Sequence, residues 1–90
     1  MLTIEELCDE LVDFGYSIKF KHAGGHHIII WKAFDKYSGL SPVADVRIDK
    51  YNEYNLNYSC FKEELNTLEQ MILASAIIQY ARTPLEFRDI

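Results

Sequence analysis

The stretch Thr67-Leu-Glu-Gln-Met-Ile-Leu-Ala-Ser-Ala-Ile-Ile-Gln-Tyr-Ala-Arg82 decides how this chain is read. It is the longest apolar-periodic segment, and the pair Thr67 and Gln70 predicts a capping box at its start. At about 100° per residue, Leu68, Met71, Ile72, Leu73, Ala74, Ala76, Ile77, Ile78, Tyr80 and Ala81 leave hardly any polar arc. Glu69, Gln70, Ser75, Gln79 and Arg82 read as scattered around the wheel rather than grouped. A helix apolar nearly all round is normally buried on more than one side. Either neighbouring elements cover its flanks, or Met71, Leu73, Ala74, Ile77, Ile78 and Ala81 form an interface with a second copy or another protein.

The residues after it, Thr83-Pro-Leu-Glu-Phe-Arg88, predict a further capped turn. Thr83 suits the cap, Pro84 the first helical position and Glu86 the third, with Leu85 or Phe87 packing inward. Ahead of the long helix, Phe61 to Leu65 predicts one short helical turn.

At the other end, Thr3 and Glu6 make a capping box, and Ile4, Leu7, Cys8, Leu11 and Phe14 form one stripe. A helix over residues 3–14 follows, stopped by Gly15 as a left-handed cap. Between the helices the period changes from that of a helix to that of a strand. Tyr16, Ile18 and Phe20 alternate with Ser17, Lys19 and Lys21, and Ala23-Gly24-Gly25 is a hairpin turn. Residues 26–34 form a central second strand whose phase the run Ile28-Ile29-Ile30-Trp31 does not fix. Ala44, Val46 and Ile48 point inward in a third strand, with Asp45, Arg47 and Asp49 outward. Tyr54, Leu56 and Tyr58 suggest a weak fourth strand at an edge. Short connections favour an antiparallel meander. The expected fold is α+β, a two-layer sandwich of four strands with the N- and C-terminal helices on one face, in a single domain of 90 residues.

Composition excludes several functions. The net charge of −5 is a poor match for a phosphate backbone, so a nucleic-acid partner is not expected. Cys8 and Cys60 are too few for a disulfide framework, which favours a reducing cytoplasm. The start Met-Leu-Thr-Ile-Glu-Glu lacks a basic region followed by an apolar one, so no signal peptide is expected. The apolar helix is too short to span a bilayer, and no membrane association is expected.

No catalytic constellation emerges. The serines lack a nucleophile elbow, neither cysteine has a motif partner, and Gly24-Gly25 is a turn without the spacing of a phosphate loop. An enzyme is not expected, nor a cofactor. His22, His26 and His27 flank the turn, but successive strand residues point to opposite faces, so polar hairpin residues are the plainer reading than a metal site. Trp31 could stack a ring among Lys19, Lys21 and Arg47 on the outer sheet face; as an aromatic it is expected in the core. The first helix carries Glu5, Glu6, Asp9, Glu10 and Asp13 and no base. Such a block usually only solvates a face, but it also offers a partner a surface that imitates phosphates.

The phrase Tyr80-Ala-Arg-Thr-Pro-Leu-Glu-Phe-Arg88 resembles the ending of small uncharacterised phage and prophage proteins of Gram-positive bacteria. The similarity extends over roughly residues 42–90, through Pro42-Val-Ala-Asp-Val-Arg-Ile48, Tyr54-Asn-Leu-Asn-Tyr58, Phe61 and Leu65. Phe87 stands where those proteins more often carry an acid. The resemblance implies a phage accessory protein in a bacterial cytoplasm and carries no catalytic residues with it. The expected function is therefore a non-enzymatic accessory protein working through protein contacts, as a homodimer or with a host or phage protein. The alternatives are an inhibitor of a host defence nuclease (restriction or CRISPR) using the acidic helix, and a small metal- or ligand-binding domain.

Overall fold

The computed structural model describes residues 2–21, 27–36 and 38–88. Along the chain run α1 (Ile4–Asp13), β1 (Tyr16–Lys21), β2 (His27–Ala33), β3 (Leu40–Arg47), β4 (Tyr54–Asn55), α2 (Ser59–Glu63) and α3 (Thr67–Ala81), then a 3-10 turn over Leu85–Phe87. The strands form one sheet in the order β1-β2-β3-β4, each antiparallel to its neighbour. This is the expected α+β meander between two helices, and the short helical turn expected at Phe61 to Leu65 is α2, set two residues earlier. The turn at Ala23-Gly24-Gly25, together with His22 and His26, lies outside the described residues.

The start of α1 is held as its sequence predicts. The Thr3 hydroxyl accepts from the Glu6 amide at 3.2 Å, and the Glu6 carboxylate accepts from the Thr3 amide at 3.2 Å. Those bonds to Thr3 draw the Glu6 carboxyl below its ordinary pKa. Gly15 ends the helix at φ +84°, a conformation that favours glycine.

The start of α3 is set one residue earlier than expected. Asn66 is the cap: its side-chain oxygen accepts from the Glu69 amide at 2.8 Å, and Glu69 accepts from the Asn66 amide at 3.0 Å. Thr67 is already helical, so it has no capping role. The Gln70 amide group instead donates to the Leu65 carbonyl at 2.9 Å, joining α3 to the end of α2.

The sheet buries one face against the helices. Ile28 and Ile30 of β2 and Ala44 and Val46 of β3 are fully buried with Leu7 and Leu11 of α1 and Leu73, Ile77, Tyr80 and Ala81 of α3. This fixes the phase of β2: Ile28 and Ile30 face the core, Ile29 and Trp31 the other side. Trp31 is therefore not in the core as expected; it sits half-buried on the outer sheet face. The register slips between Ile30 and Trp31, which pair with Ala44 and Pro42, leaving Val43 as a bulge. That is why the consecutive Val43 and Ala44 are both buried. The fourth strand is shorter than expected, because Leu56 and Tyr58 leave the sheet and pack against the core.

Three further expectations at the C-terminus are corrected. Thr83 does not cap the tail; Pro84 holds the cap position with no side-chain bond. The buried Thr83 hydroxyl accepts from the Leu2 amide at 3.1 Å and donates to the Leu2 carbonyl at 2.7 Å, pinning the two chain ends together. Leu85 and Phe87 are exposed, so neither packs the tail. Arg88 anchors it instead, only 6% exposed. It donates to the carbonyls of Thr83, Tyr80 and Ala81 around the end of α3, and to those of Arg47, Ile48 and Lys50 at the end of β3 and just after it. Its guanidinium also lies 4.8 Å from the centre of the Tyr80 ring. A cation at a helix C-terminus meets the negative end of the helix dipole, so its burial is compensated by aligned carbonyls.

Candidate functional site

Two surfaces carry the groups that can meet another molecule, one on each side of the domain.

On the helical side, Glu5, Glu6, Asp9, Glu10 and Asp13 are all exposed. Among the described residues none of them forms an ion pair. Glu6 is already used in the capping box, so the acids free to face a partner are Glu5, Asp9, Glu10 and Asp13. Between them Cys8 is half-buried, and burial, then Asp9 and Glu5, push its thiol pKa up, which disfavours the thiolate. Cys60 is likewise a free thiol.

The interface expected on α3 is only partly accessible. Leu73, Ile77 and Ala81 have no exposed surface, because α1 and the sheet cover that side, so they belong to the core and cannot touch a partner. Ala74 and Ile78 are half-buried. Met71 is 64% exposed, and Leu68 beside it is 65% exposed. The polar residues are also less scattered than they read. Ser75, Gln79 and Arg82 are exposed and share with Leu68 and Met71 a stripe about 80° wide at helical spacing. This stripe is the water-facing side of α3, polar at its C-terminal end and apolar at its N-terminal end. Alongside runs a groove of about 150 Å³ between the helices, walled by Leu11 and Phe14 from the α1 side and Ile72 and Ala76 from α3, with Glu10, Ser75 and Gln79 at its polar positions. Phe14 is 51% exposed at this groove.

On the outer sheet face, side chains from three segments form one hydrogen-bonded chain. Tyr58, just past β4, donates its hydroxyl to Asp45 Oδ2 at 2.5 Å. Burial, then this bond, pushes the Tyr58 pKa up to about 12. Asp45 Oδ1 faces His27 Nδ1 at 3.9 Å. His27 Nε2 meets Arg47 Nη1 at 3.3 Å. Since a guanidinium only donates, Nε2 of the neutral ring is the acceptor and Nδ1 carries the proton. Arg47 closes the chain by gripping Asp49 with two prongs, Nε at 3.0 Å and Nη2 at 3.1 Å. The carboxylates of Asp49, Glu53 and Asp45 hold its guanidinium firmly charged.

Beside this chain opens a pocket of about 630 Å³ lined by His27, Asp45, Arg47, Asn52, Glu53, Tyr54 and Asn55. Its loop is held from behind. Asn52, at φ +56°, donates its amide to the Ala81 carbonyl at 2.6 Å, and the Lys50 carbonyl accepts from Arg88 at 2.9 Å. The Glu53 carbonyl accepts from the Arg47 amide at 2.9 Å.

The outward alternation of Asp45, Arg47 and Asp49 was visible in the sequence, but their meeting with His27 and Tyr58 was not. It depends on the pairing of His27 with Arg47, on the far side of a bulge that the sequence does not mark. Of the hairpin histidines only His27 is described, and among the described residues no group of three or more His, Cys, Asp or Glu side chains could hold a metal ion. No described helix is long and apolar enough to cross a membrane. No protein-family model, curated protein or solved structure matches this chain.

Proposed function

We propose that the protein is a non-enzymatic accessory protein of the phage or prophage kind that works by docking a partner protein on its helical layer. The phage setting rests on the resemblance over roughly residues 42–90 alone. The docking role rests on one observation: exposed Leu68 and Met71 lie on the same stripe of α3 as the groove whose other wall is exposed Phe14, and the neighbouring helix is acidic. Exposed apolar groups rimmed by charge are a usual mark of a protein contact. The acids on α1 select a basic amphipathic segment over a second copy of this chain, which would bring like charges together. A homodimer through Leu68 and Met71 remains the competing arrangement.

The test compares the wild type with Leu68→Ser/Met71→Ser and with Glu10→Lys. A partner identified by cross-linking in bacterial extract should be retained by the wild type and lost by both variants. Sedimentation over a wide concentration range separates self-association from binding another protein. A monomer that captures nothing, or a partner held equally by all forms, overturns the proposal.

A second reading is favoured by the exposed, unpaired acids of α1: a phosphate-mimicking inhibitor of a defence nuclease. Reversing Glu5, Asp9 and Asp13 to Lys should then abolish inhibition of that nuclease in vitro, and unchanged inhibition would sink the idea.

A further inference from the structure

The pocket at the β3–β4 end of the outer sheet face lies across the sheet from the helical layer, and its role is independent of the docking described above. Its charges decide what it can take. Arg47 is its cation among the described lining side chains, and both prongs directed at Asp49 are occupied, with the remaining nitrogen at His27. An anion would therefore find a guanidinium already neutralised and two carboxylates, Asp45 and Glu53, in its way. A cation finds the reverse. Asp45 Oδ2 takes the Tyr58 hydroxyl, but among the described residues Oδ1 has only the long 3.9 Å approach of His27. The Glu53 side chain forms no hydrogen bond or ion pair among the described residues and raises the field at Arg47, which places its charge beside the pocket. Asn52 and Asn55 complete the lining, the Asn55 side-chain oxygen accepting from the Asn57 amide at 2.9 Å.

We propose that this pocket binds an organic cation, a guanidinium or primary ammonium group, between the carboxylates of Asp45 and Glu53. The walls are fixed before the ligand arrives, because Arg88 and the Ala81 carbonyl hold the loop and Tyr58 holds Asp45. Little conformational freedom is then lost on binding. The same chemistry is offered by a free small molecule and by an arginine or lysine side chain on a peptide.

The experiment is an amide NMR titration of the whole protein with acetyl-arginine amide, with butylammonium, with a short extended peptide carrying one arginine, and with inorganic phosphate. The amides of Glu53, Tyr54 and Asn55 should move together and saturate with a Kd on the order of 1 mM for the single cationic group. Added salt should weaken it. Glu53→Gln should weaken it about tenfold, the loss of one charge-assisted bond. That variant keeps the carbonyl that accepts from Arg47, so the loop is retained. Glu63→Gln, on the exposed side of α2, should change nothing. Peptide binding at least about tenfold tighter than the amide assigns the cation to a protein side chain; equal binding assigns it to a free small molecule. Stationary amides, equal binding by Glu53→Gln, or phosphate moving the same amides in place of the cations overturns the proposal.

Discussion

In α1 the apolar residues keep to one stripe, and Leu7 and Leu11 vanish beneath it while the acids face water. In α3 apolar residues surround the helix, yet it too has a water-facing side, because Leu68 and Met71 are left on it with Ser75, Gln79 and Arg82. The difference lies in how many neighbours each helix has. α1 packs against α3 and β1; α3 packs against α1, β3 and β4, and its end is held by Arg88. A helix with more neighbours needs a wider apolar arc, and most of its apolar content is explained without a partner. Burying Leu73 and Ile77 contributes roughly 1.5–3 kcal/mol each, which is core stabilisation rather than interface. What the comparison leaves for a partner is the short apolar stretch at Leu68 and Met71.

The strongest way to break the comparison is at the end of α3. Arg88→Met should destabilise the protein by about 3 kcal/mol or more in urea unfolding, since it strands buried carbonyls from α3 together with those at the end of β3 and just after it. Arg88→Lys should recover only part of this, as an ammonium cannot reach carbonyls on both sides of a planar fork. Wild-type stability in Arg88→Met would show that α3 is held by its apolar faces alone.

A smaller effect tests the junction where the two helices meet. Tyr16, just after α1, is buried, and its pKa is pushed up to about 12, first by burial and then by Glu69 of α3. The folded state therefore holds the phenol proton more tightly than the unfolded chain, whose tyrosines titrate near pH ~10. The sign follows: this contribution is complete below pH ~10 and is lost as pH rises through about 12, on the order of 2 kcal/mol in all. Melting temperature measured from pH 9 to 12 should fall in that window, and Tyr16→Phe should flatten part of the fall. A flat profile in the wild type would contradict the buried, protonated Tyr16. Lys32 contributes to the same junction. Its ammonium donates to the Phe14 carbonyl at 3.3 Å, pairs with Glu69 at 3.4 Å and lies 4.7 Å from the Tyr16 ring centre.

The smallest effect sharpens the comparison at the helix starts. Thr3→Ala and Asn66→Ala should each cost about 1 kcal/mol, since both remove a capping box. Thr67→Ala should change stability by less than about 0.5 kcal/mol, because the threonine caps nothing. Chemical denaturation of the three variants side by side checks all of this, and a larger loss at Thr67 than at Asn66 would reverse the assignment.

The fold was largely legible because its signals are local. The capping box at Thr3, the turn at Gly15 and the alternation of Ala44 and Val46 each depend on residues within a few positions of one another. The second capping box was misplaced by one residue because Asn66-Thr67 offers two adjacent cap residues, and only the chain's exit from α2 chooses between them. Trp31 was misplaced because a run of four apolar residues has no readable phase until a neighbouring strand fixes its register. The candidate site was scarcely legible. Asp45, Arg47 and Asp49 were correctly set outward, but neither Tyr58 nor Glu53 carries any mark of its role.

The sequence by itself determined the element order, the meander, the start of α1 and the acidic character of its exposed face, since these follow from spacing along the chain. Only the tertiary structure decided which side of α3 meets water, that Thr83 and Arg88 serve as anchors, and that His27 meets Arg47 beside the pocket. Those outcomes depend on contacts between residues far apart in the chain, such as Leu2 with Thr83 and Arg47 with Arg88. Periodicity reports only that a side chain is buried or exposed; register, bulge and packing select what it touches.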